Sequence, residues 1–347
     1  MAIYWALLGS ISAFSAVGVR RAGNIKAALI VLFVFFVGVV GLRDRVGRDW
    51  SNYLELYTAL SGASLTALDF AREPAFFLIN WIAYETGLGI NFVNLVHASI
   101  FLGGLFYFAY KKCPDKFLAI AVATPYLIVV VGMSGIRQAA AIGVFMFLLG
   151  RWDSAGYVQK IFLIVLASTF HASAILLVSL IVIDSRQQPI RLFVVGLGAL
   201  AVGLTVFGPN QDYYVSSYVQ ENLESAGAVY HALLVVGPGA LYVLMNKRFA
   251  RAGLLDPTLF RMAIVSLVLF PFLPVSLTGI DRFLLYFTPV QMFALSAAPL
   301  VLQARLVHVL LLLMNAFILW GWLEFANNAD AWRDYSSCLA ASVGCFH

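Results

Sequence analysis

Apolar runs of about 17–25 residues recur along the whole chain, and that is the length an α-helix needs to cross the hydrocarbon core of a membrane. Of the 347 residues, 62% are hydrophobic and only 11% are charged. Because lipid offers no hydrogen-bond partners, the backbone groups of these runs must be satisfied within helices. We therefore expect an all-α fold, a polytopic membrane helix bundle. The net charge of +5 fits basic loops and anionic lipid headgroups, and no nucleic-acid partner is expected.

The loops between the runs predict the topology, because positively charged loops mark the cytoplasmic side of a membrane. Positive charge follows the first apolar run, whereas in a signal peptide it precedes the apolar run. This pattern places the N-terminus outside. Six basic groups lie between apolar runs, at residues 20–26, 111–116, 151–160, 186–191, 247–261 and 305. With all six inside, the predicted spans lie near residues 2–19, 26–42, 90–110, 117–132, 136–150, 191–207, 229–246, 258–274, 283–301 and 306–325.

Two further segments are predicted to be helical, but counting either one as a full span would place basic groups on the outside. Residues 73–88, with Pro74 suited to a first helical turn, are expected to form a re-entrant or interfacial helix. Residues 157–185 are expected to form two short helices that turn at a depression of the outer surface, with His171 at its floor. The prediction is a bundle of about 12 transmembrane helices with both termini outside. It forms one integral membrane domain, 1–347, with outer segments at 43–89, 208–228 and 326–347, and a disulfide between Cys338 and Cys345 in the oxidising exterior.

Charged residues that remain after the basic groups are placed gather on the predicted outer face. Arg137 and Arg282 are each expected to open a helix, where exposed backbone N–H groups and the positive end of the dipole favour phosphate. With Arg45 or Arg48 they would form a bidentate clamp on a diphosphate. The alternatives are that Arg137 snorkels or pairs with a carboxylate such as Glu73, and that Arg282 pairs with the preceding aspartate.

Three outer residues are candidates for a catalytic proton acceptor: Glu73, Asp49 and His171. In the competing interpretations, Glu73 only caps its helix, and His171 is a structural residue or a ligand of diphosphate. Substrate-positioning roles are assigned to Gln138, Tyr53 and Asp281. The outer face has no Asp-x-Asp, and the chain has no His-x-x-His, P-loop or dinucleotide motif. We therefore expect no metal site, no cofactor and no nucleotide substrate.

Five short motifs, in order between residues 40 and 290, carry a family resemblance. They are Gly47-Arg48-Asp49-Trp50 followed by Tyr53, Glu73-Pro74-Ala75-Phe76-Phe77-Leu78-Ile79-Asn80, Arg137-Gln138 before a small-residue helix, Phe170-His171-Ala172-Ser173-Ala174, and Asp281-Arg282-Phe283. With them the chain resembles the EpsG family of bacterial exopolysaccharide polymerases, a branch of the Wzy-type group. It departs from the family pattern at Trp50, where tyrosine is frequent, and at Ala75, where glycine is frequent.

The resemblance implies a glycosyltransferase of C type in the bacterial inner membrane, with its active site facing the exterior. Such an enzyme would join repeat units carried on undecaprenyl diphosphate, with one lipid-linked glycan as donor and another as acceptor. Membrane lipids, a flippase and a chain-length regulator are the further partners expected. Two alternatives stay open at this point. A lipid-linked glycan flippase or transporter would place polar residues at the midplane and often shows an internal repeat, and a membrane acyltransferase would need a histidine deep in a span.

Overall fold

A computed structural model describes residues 1–18, 22–59, 73–184 and 227–340, and nearly all of these residues are helical. In chain order the helices are α1 (Ala2–Val17), α2 (Ala22–Gly41), α3 (Trp50–Ala59), α4 (Pro74–Glu85), α5 (Gly89–Lys112), α6 (Lys116–Ala123), α7 (Gly132–Ser134), α8 (Ile136–Arg151), α9 (Tyr157–Phe170), α10 (Val178–Asp184), α11 (Ala228–Leu244), α12 (Asn246–Arg251), α13 (Pro257–Leu269), α14 (Leu277–Leu284), α15 (Thr288–Val301), α16 (Arg305–Phe325) and α17 (Asp330–Arg333). A π-helical stretch, Thr124–Val131, joins α6 to α7, and 3-10 turns occupy Ala172–Leu177, Phe270–Val275, Leu285–Phe287 and Cys338–Ala340. Strands β1 (Arg43–Asp44) and β2 (Ser336–Ser337) form a small antiparallel pair.

Among the described residues, six helical segments are long and apolar enough to cross a membrane, and each overlaps a predicted span. They are Asn24–Gly41, Gly89–Lys112, Lys116–Ser134, Pro257–Pro274, Gly279–Val301 and Arg305–Phe325. Shorter apolar helices cover Ala2–Val17, Tyr157–Phe170, Ala172–Ile183 and Ala228–Leu244. The all-α, membrane-type architecture is therefore confirmed, whereas the count of about 12 spans and the C-type fold stay predictions. The predicted span at 191–207 and nearly all of the outer loop at 208–228 lie outside the described residues.

The structure has the expected break at His171. Helix α9 ends at Phe170, the backbone of His171 is extended (φ −151°, ψ 118°), and a 3-10 turn begins at the next residue. Helix α10, which follows this turn, packs back against α9, so the chain changes direction at the break. Helix α4 has 12 residues, which gives it a length of about 18 Å. It is too short for a core of about 30 Å, which agrees with a re-entrant or interfacial helix.

The expectation that Arg282 opens a helix is wrong. Helix α14 begins earlier, at Leu277, and Arg282 lies in its last turn. A new α-helix begins there because the preceding helical stretch is interrupted. The 3-10 turn after α13 contains Pro274, and the backbone of Ser276 is extended (φ −150°, ψ 90°). The helix-terminus argument for phosphate therefore holds only for Arg137, which is the second residue of α8.

Three of the described segments predicted to lie outside, which are the N-terminus, the first outer loop and the tail, meet at one end of the bundle. The amino group of Met1 donates to the carbonyl of Arg333 at 3.2 Å, and the Tyr4 hydroxyl donates to the carbonyl of Trp332 at 2.9 Å. Strand β1 pairs with β2, so the tail lies beside the first outer loop. Cys338 is buried and disulfide-bonded, while its predicted partner Cys345 lies outside the described residues.

Three of the segments predicted to lie inside meet around Lys112. Its ammonium group binds the carboxylate of Asp256 at 2.7 Å and also that of Asp153. Elsewhere, the hydroxyl of Ser15 lies 3.1 Å from the His308 ring, which joins the ends of α1 and α16. This grouping of the loops is what the charge pattern predicts. Which end faces the cytoplasm remains a prediction.

Helices α5 and α8 form the tightest contact of the described core. A Cβ atom added at Gly104 would lie 1.8 Å from the carbonyl oxygen of Gly143, and one added at Gly143 would lie 2.4 Å from Phe101 Cα. Small residues let membrane helices approach at the backbone. Because this contact has no side chain to compress, it sets the position of α8 and of Arg137 in its first turn.

Candidate functional site

Glu73 is the centre of a buried ionic cluster. It precedes α4, but its side chain makes no capping hydrogen bond to that helix. Instead, Oε2 accepts a hydrogen bond from Arg137 Nη1 at 2.6 Å, and Oε1 accepts one from His171 Nδ1 at 2.7 Å. Glu73 is only 5% exposed. The structure thus brings together three predicted site residues that are far apart in the sequence.

The ionic partners decide the charge of Glu73. Burial alone raises the pKa of a carboxyl group, because it penalises the charged form. The positive charge of Arg137 and the hydrogen bond from His171 outweigh this effect and hold the pKa of Glu73 below its ordinary value. Glu73 is therefore an acceptor-only carboxylate at neutral pH.

His171 has a defined proton arrangement as a result. A carboxylate only accepts hydrogen bonds, so the proton of the contact with Glu73 is on Nδ1. The other ring nitrogen, Nε2, is buried and has no hydrogen-bond partner among the described residues. In catalytic triads a carboxylate holds the histidine through Nδ1 in the same way, and Nε2 is the atom that takes up a proton during the reaction.

Arg137 is the partly exposed member of this cluster. Its guanidinium carbon is 5.7 Å from the ring centre of Tyr53 and 5.4 Å from that of Phe76. Burial raises the pKa of Tyr53, so its phenol stays neutral beside the cation. The Arg137 side chain is 35% exposed although it pairs with Glu73. The pairing of Arg137 with Glu73 that the sequence suggested as an alternative is thus present. For Arg137 to bind a diphosphate as well, it must use the guanidinium N–H groups that do not contact Glu73.

Four other predicted residues line a single cavity of about 1120 Å³: Arg48, Asp49, Asp281 and Arg282. Two cations and two carboxylates therefore share one space at the predicted outer end. The cavity also has an aromatic wall, formed by Tyr126, Tyr230, Phe317, Trp320, Trp322, Phe325 and Trp332. Its size and mixed lining suit an amphipathic ligand with an anionic centre.

Ser134 holds Asp49 at the cavity wall. The Ser134 hydroxyl donates to Asp49 Oδ2 at 2.8 Å and accepts from the Asp49 backbone N–H at 3.3 Å. Gly47 allows the loop to approach this closely. Its φ is +103°, and a Cβ atom there would lie 2.4 Å from the carbonyl oxygen of Met133. A side chain at Gly47 would therefore push Arg48 and Asp49 away from the cavity.

The opposite wall of the cavity is tied to the ionic cluster through Gln138. The buried Gln138 amide donates to the backbone carbonyl of Arg282, so α8 and α14 are joined next to both sites. Asp281 Oδ2 lies 3.4 Å from His231 Nδ1, and the His231 ring stacks on Tyr126 with 4.2 Å between ring centres. The Gln138 amide is thus engaged with the backbone, and its predicted contact with substrate stays a proposal.

Arg45 lies apart from the residues just described. Its side chain is 84% exposed, it is 4.0 Å from the Asp44 carboxylate, and it is not among the lining residues of the cavity. Ser134 and Tyr126 are site residues to which the sequence assigned no role. Ser134 stands two residues before the Ile136–Arg151 helix in a small-residue stretch, a weak signal. Tyr126 lies in an apolar run without any motif.

The described residues contain no group of three or more His, Cys, Asp or Glu side chains that would hold a metal ion. No curated protein and no solved structure matches the chain. A family model does match, over residues 26–337, nearly the whole chain and all the site residues described above. The chain belongs to the EpsG family.

Proposed function

We propose that the chain is a polysaccharide polymerase that joins undecaprenyl-diphosphate-linked glycan repeat units at the outer face of the inner membrane. Membership of the EpsG family suggests a polysaccharide polymerase-like membrane protein. One observation carries the finer proposal: the cavity that holds Arg48 and Arg282 together with Asp49 and Asp281, in a chain whose described part has six long apolar helices. Its cations match a diphosphate, and its aromatic wall matches a lipid and sugar.

The reaction is a single displacement at the anomeric carbon of the donor glycan. An acceptor hydroxyl oxygen forms the new glycosidic bond as the bond from the anomeric carbon to the phosphate oxygen breaks. The electron pair of that bond leaves with the lipid diphosphate. Arg48 and Arg282 stabilise the charge that develops on the leaving group. Because the donor is already activated by its diphosphate, the proposed step needs neither nucleotide nor metal, and it inverts the anomeric configuration.

The acceptor hydroxyl must lose its proton in the same step. We assign this proton to His171 Nε2, because Glu73 holds Nδ1 and leaves Nε2 without a described partner. Glu73 orients His171 and stabilises the imidazolium that forms, and Arg137 keeps Glu73 in place. Asp49, held by Ser134 on the cavity wall, positions a sugar hydroxyl.

Purified protein supplied with lipid-linked repeat units, and with no ATP, nucleotide sugar or metal, tests the proposal. Polymer formation by the wild type is expected and would exclude a pure flippase. His171→Gln should lower polymerisation by about 10²-fold or more, the range for one general base. His308→Gln is the matched control at the opposite end of the bundle. Transbilayer movement of the lipid without any polymer would overturn the proposal.

A further inference from the structure

Helix α16 has a continuous apolar face that no described part of the protein covers. Of the six long apolar segments in the described part of the chain it is the least buried, with 22% of its most apolar stretch inside the protein. The exposed side chains recur every three or four residues, which places them on one side of the helix. They are Leu306, Val309, Leu310, Leu313, Phe317 and Trp320. In a membrane span this face meets lipid.

The outer turns of the same helix also line the cavity that holds the arginines. Phe317 is 66% exposed and Trp320 is 42% exposed, and both are lining residues. Across the cavity, α11 contributes Tyr230 and Leu233, which are 73% and 47% exposed. Helices α11 and α16 both pack against α15. The cavity is therefore a cleft between two helices whose facing turns are exposed toward lipid; we name it the α11–α16 cleft.

The space in the cleft continues along α16. Gly321 is a lining residue, and a Cβ atom added there would meet no heavy atom within 4 Å. A residue without a side chain thus leaves a groove between Phe317 and Phe325. Arg48 and Arg282 line the same cavity. The cleft consequently combines a cationic region with an apolar opening to the membrane.

We propose that the α11–α16 cleft binds the isoprenoid chain of the lipid diphosphate. This inference rests on the proposed function, which places the diphosphate in the same cavity. The head group lies at Arg48 and Arg282, and the chain leaves between the two helices over Gly321. In this way the chain stays in hydrocarbon while its diphosphate reaches polar groups. The aromatic side chains Phe317 and Trp320 pack along the chain.

The test compares repeat units linked to a long isoprenoid chain with the same units linked to a short one. Gly321→Leu fills the groove, so KM for the long-chain substrate should rise about tenfold, the effect of losing roughly two buried methylene groups. KM for the short-chain substrate should stay within about twofold. Val309→Trp, on the same exposed face but away from the cavity, should change neither value. Equal effects of Gly321→Leu on both substrates would overturn the proposal.

A second measurement does not depend on polymerisation. A photoreactive phenylalanine analogue is placed at Phe317 or at Val309, and membranes are irradiated with undecaprenyl diphosphate alone. Crosslinking at Phe317, competed by unlabelled lipid diphosphate, and only background at Val309 are expected. If the wild type makes no polymer yet shows this pattern, the polymerase proposal fails and the subsite stands. Equal crosslinking at both positions means ordinary contact with lipid, and the subsite then fails.

Discussion

Replacing Glu73 by glutamine removes one negative charge from the buried cluster and leaves its shape almost unchanged. Glutamine has one acceptor oxygen, so it can serve either Arg137 or His171, and its amide N–H₂ faces the other donor. Hydrogen bonds to charged groups contribute about 1.5–3 kcal/mol each, and removing one partner of a buried ion pair costs about 3–5 kcal/mol. Arg137 is 35% exposed, so water replaces part of the lost contact. We therefore expect a loss of about 3 kcal/mol.

Thermal unfolding in detergent measures this loss. For a chain of this size about 1 kcal/mol corresponds to about 2 °C, so Glu73→Gln should lower the melting temperature by about 6 °C. Glu85→Gln is the matched control, because it makes the same chemical change at the exposed end of the same helix. That variant should stay within about 1 °C of the wild type, as surface substitutions usually do.

A double-mutant cycle separates the ion pair from general disruption. Arg137→Gln combined with Glu73→Gln should cost less than the two single changes added together, by about 2 kcal/mol, because the second change removes a charge that the first left unpaired. Two results would refute the view that Glu73 is held by charge in a buried site. One is additive losses in the cycle, and the other is a Glu73→Gln variant with the same melting temperature as the Glu85→Gln control.

Three further outcomes follow from the same contacts. Arg282→Lys should keep binding of the lipid substrate near normal but lower polymerisation by about 10²-fold, the scale of losing one charge stabiliser, and unchanged turnover would make this arginine structural. Ser134→Ala should lower kcat more than it changes KM, while Ser134→Thr, which keeps the hydroxyl that binds Asp49, should restore turnover; equal defects in both variants would contradict a positioning role. Because the pKa of Glu73 in the folded protein lies below its ordinary value of 4.5, the unfolded chain binds the proton first, and stability from Glu73 is lost as pH falls through the folded pKa. Melting temperature should therefore fall less steeply with acid in Glu73→Gln than in the wild type, and parallel curves would contradict this linkage.

The expected ionic roles of the site residues could be read from residue type and order along the chain, and pairing of Arg137 with Glu73 was one of the alternatives considered. The contact between His171 and Glu73 could not be read in this way. Arg137 and Glu73 stand 64 residues apart, and His171 follows Glu73 by 98 residues. Positive-inside reasoning placed all three at one membrane face. It did not show that Arg137 would use Nη1 on Glu73, because a partner is chosen by the packing of α4, α8 and α9.

Local patterns determined the helical elements, since hydrophobic runs, prolines and small residues act within a few positions of one another. Six of the predicted spans correspond to long apolar helices in the described part of the chain. The loop charges required a turn near His171, and the structure has it there. The prediction that a helix begins at Arg282 was wrong. The break at Pro274 and Ser276 lets the helix begin at Leu277, earlier than the hydrophobic run suggests. Only the tertiary structure brought Ser134 to Asp49 and opened a cavity between α11 and α16. Such contacts depend on how closely helices approach, as the backbone contact between α5 and α8 shows, and the periodicity of a single segment carries no information about that distance.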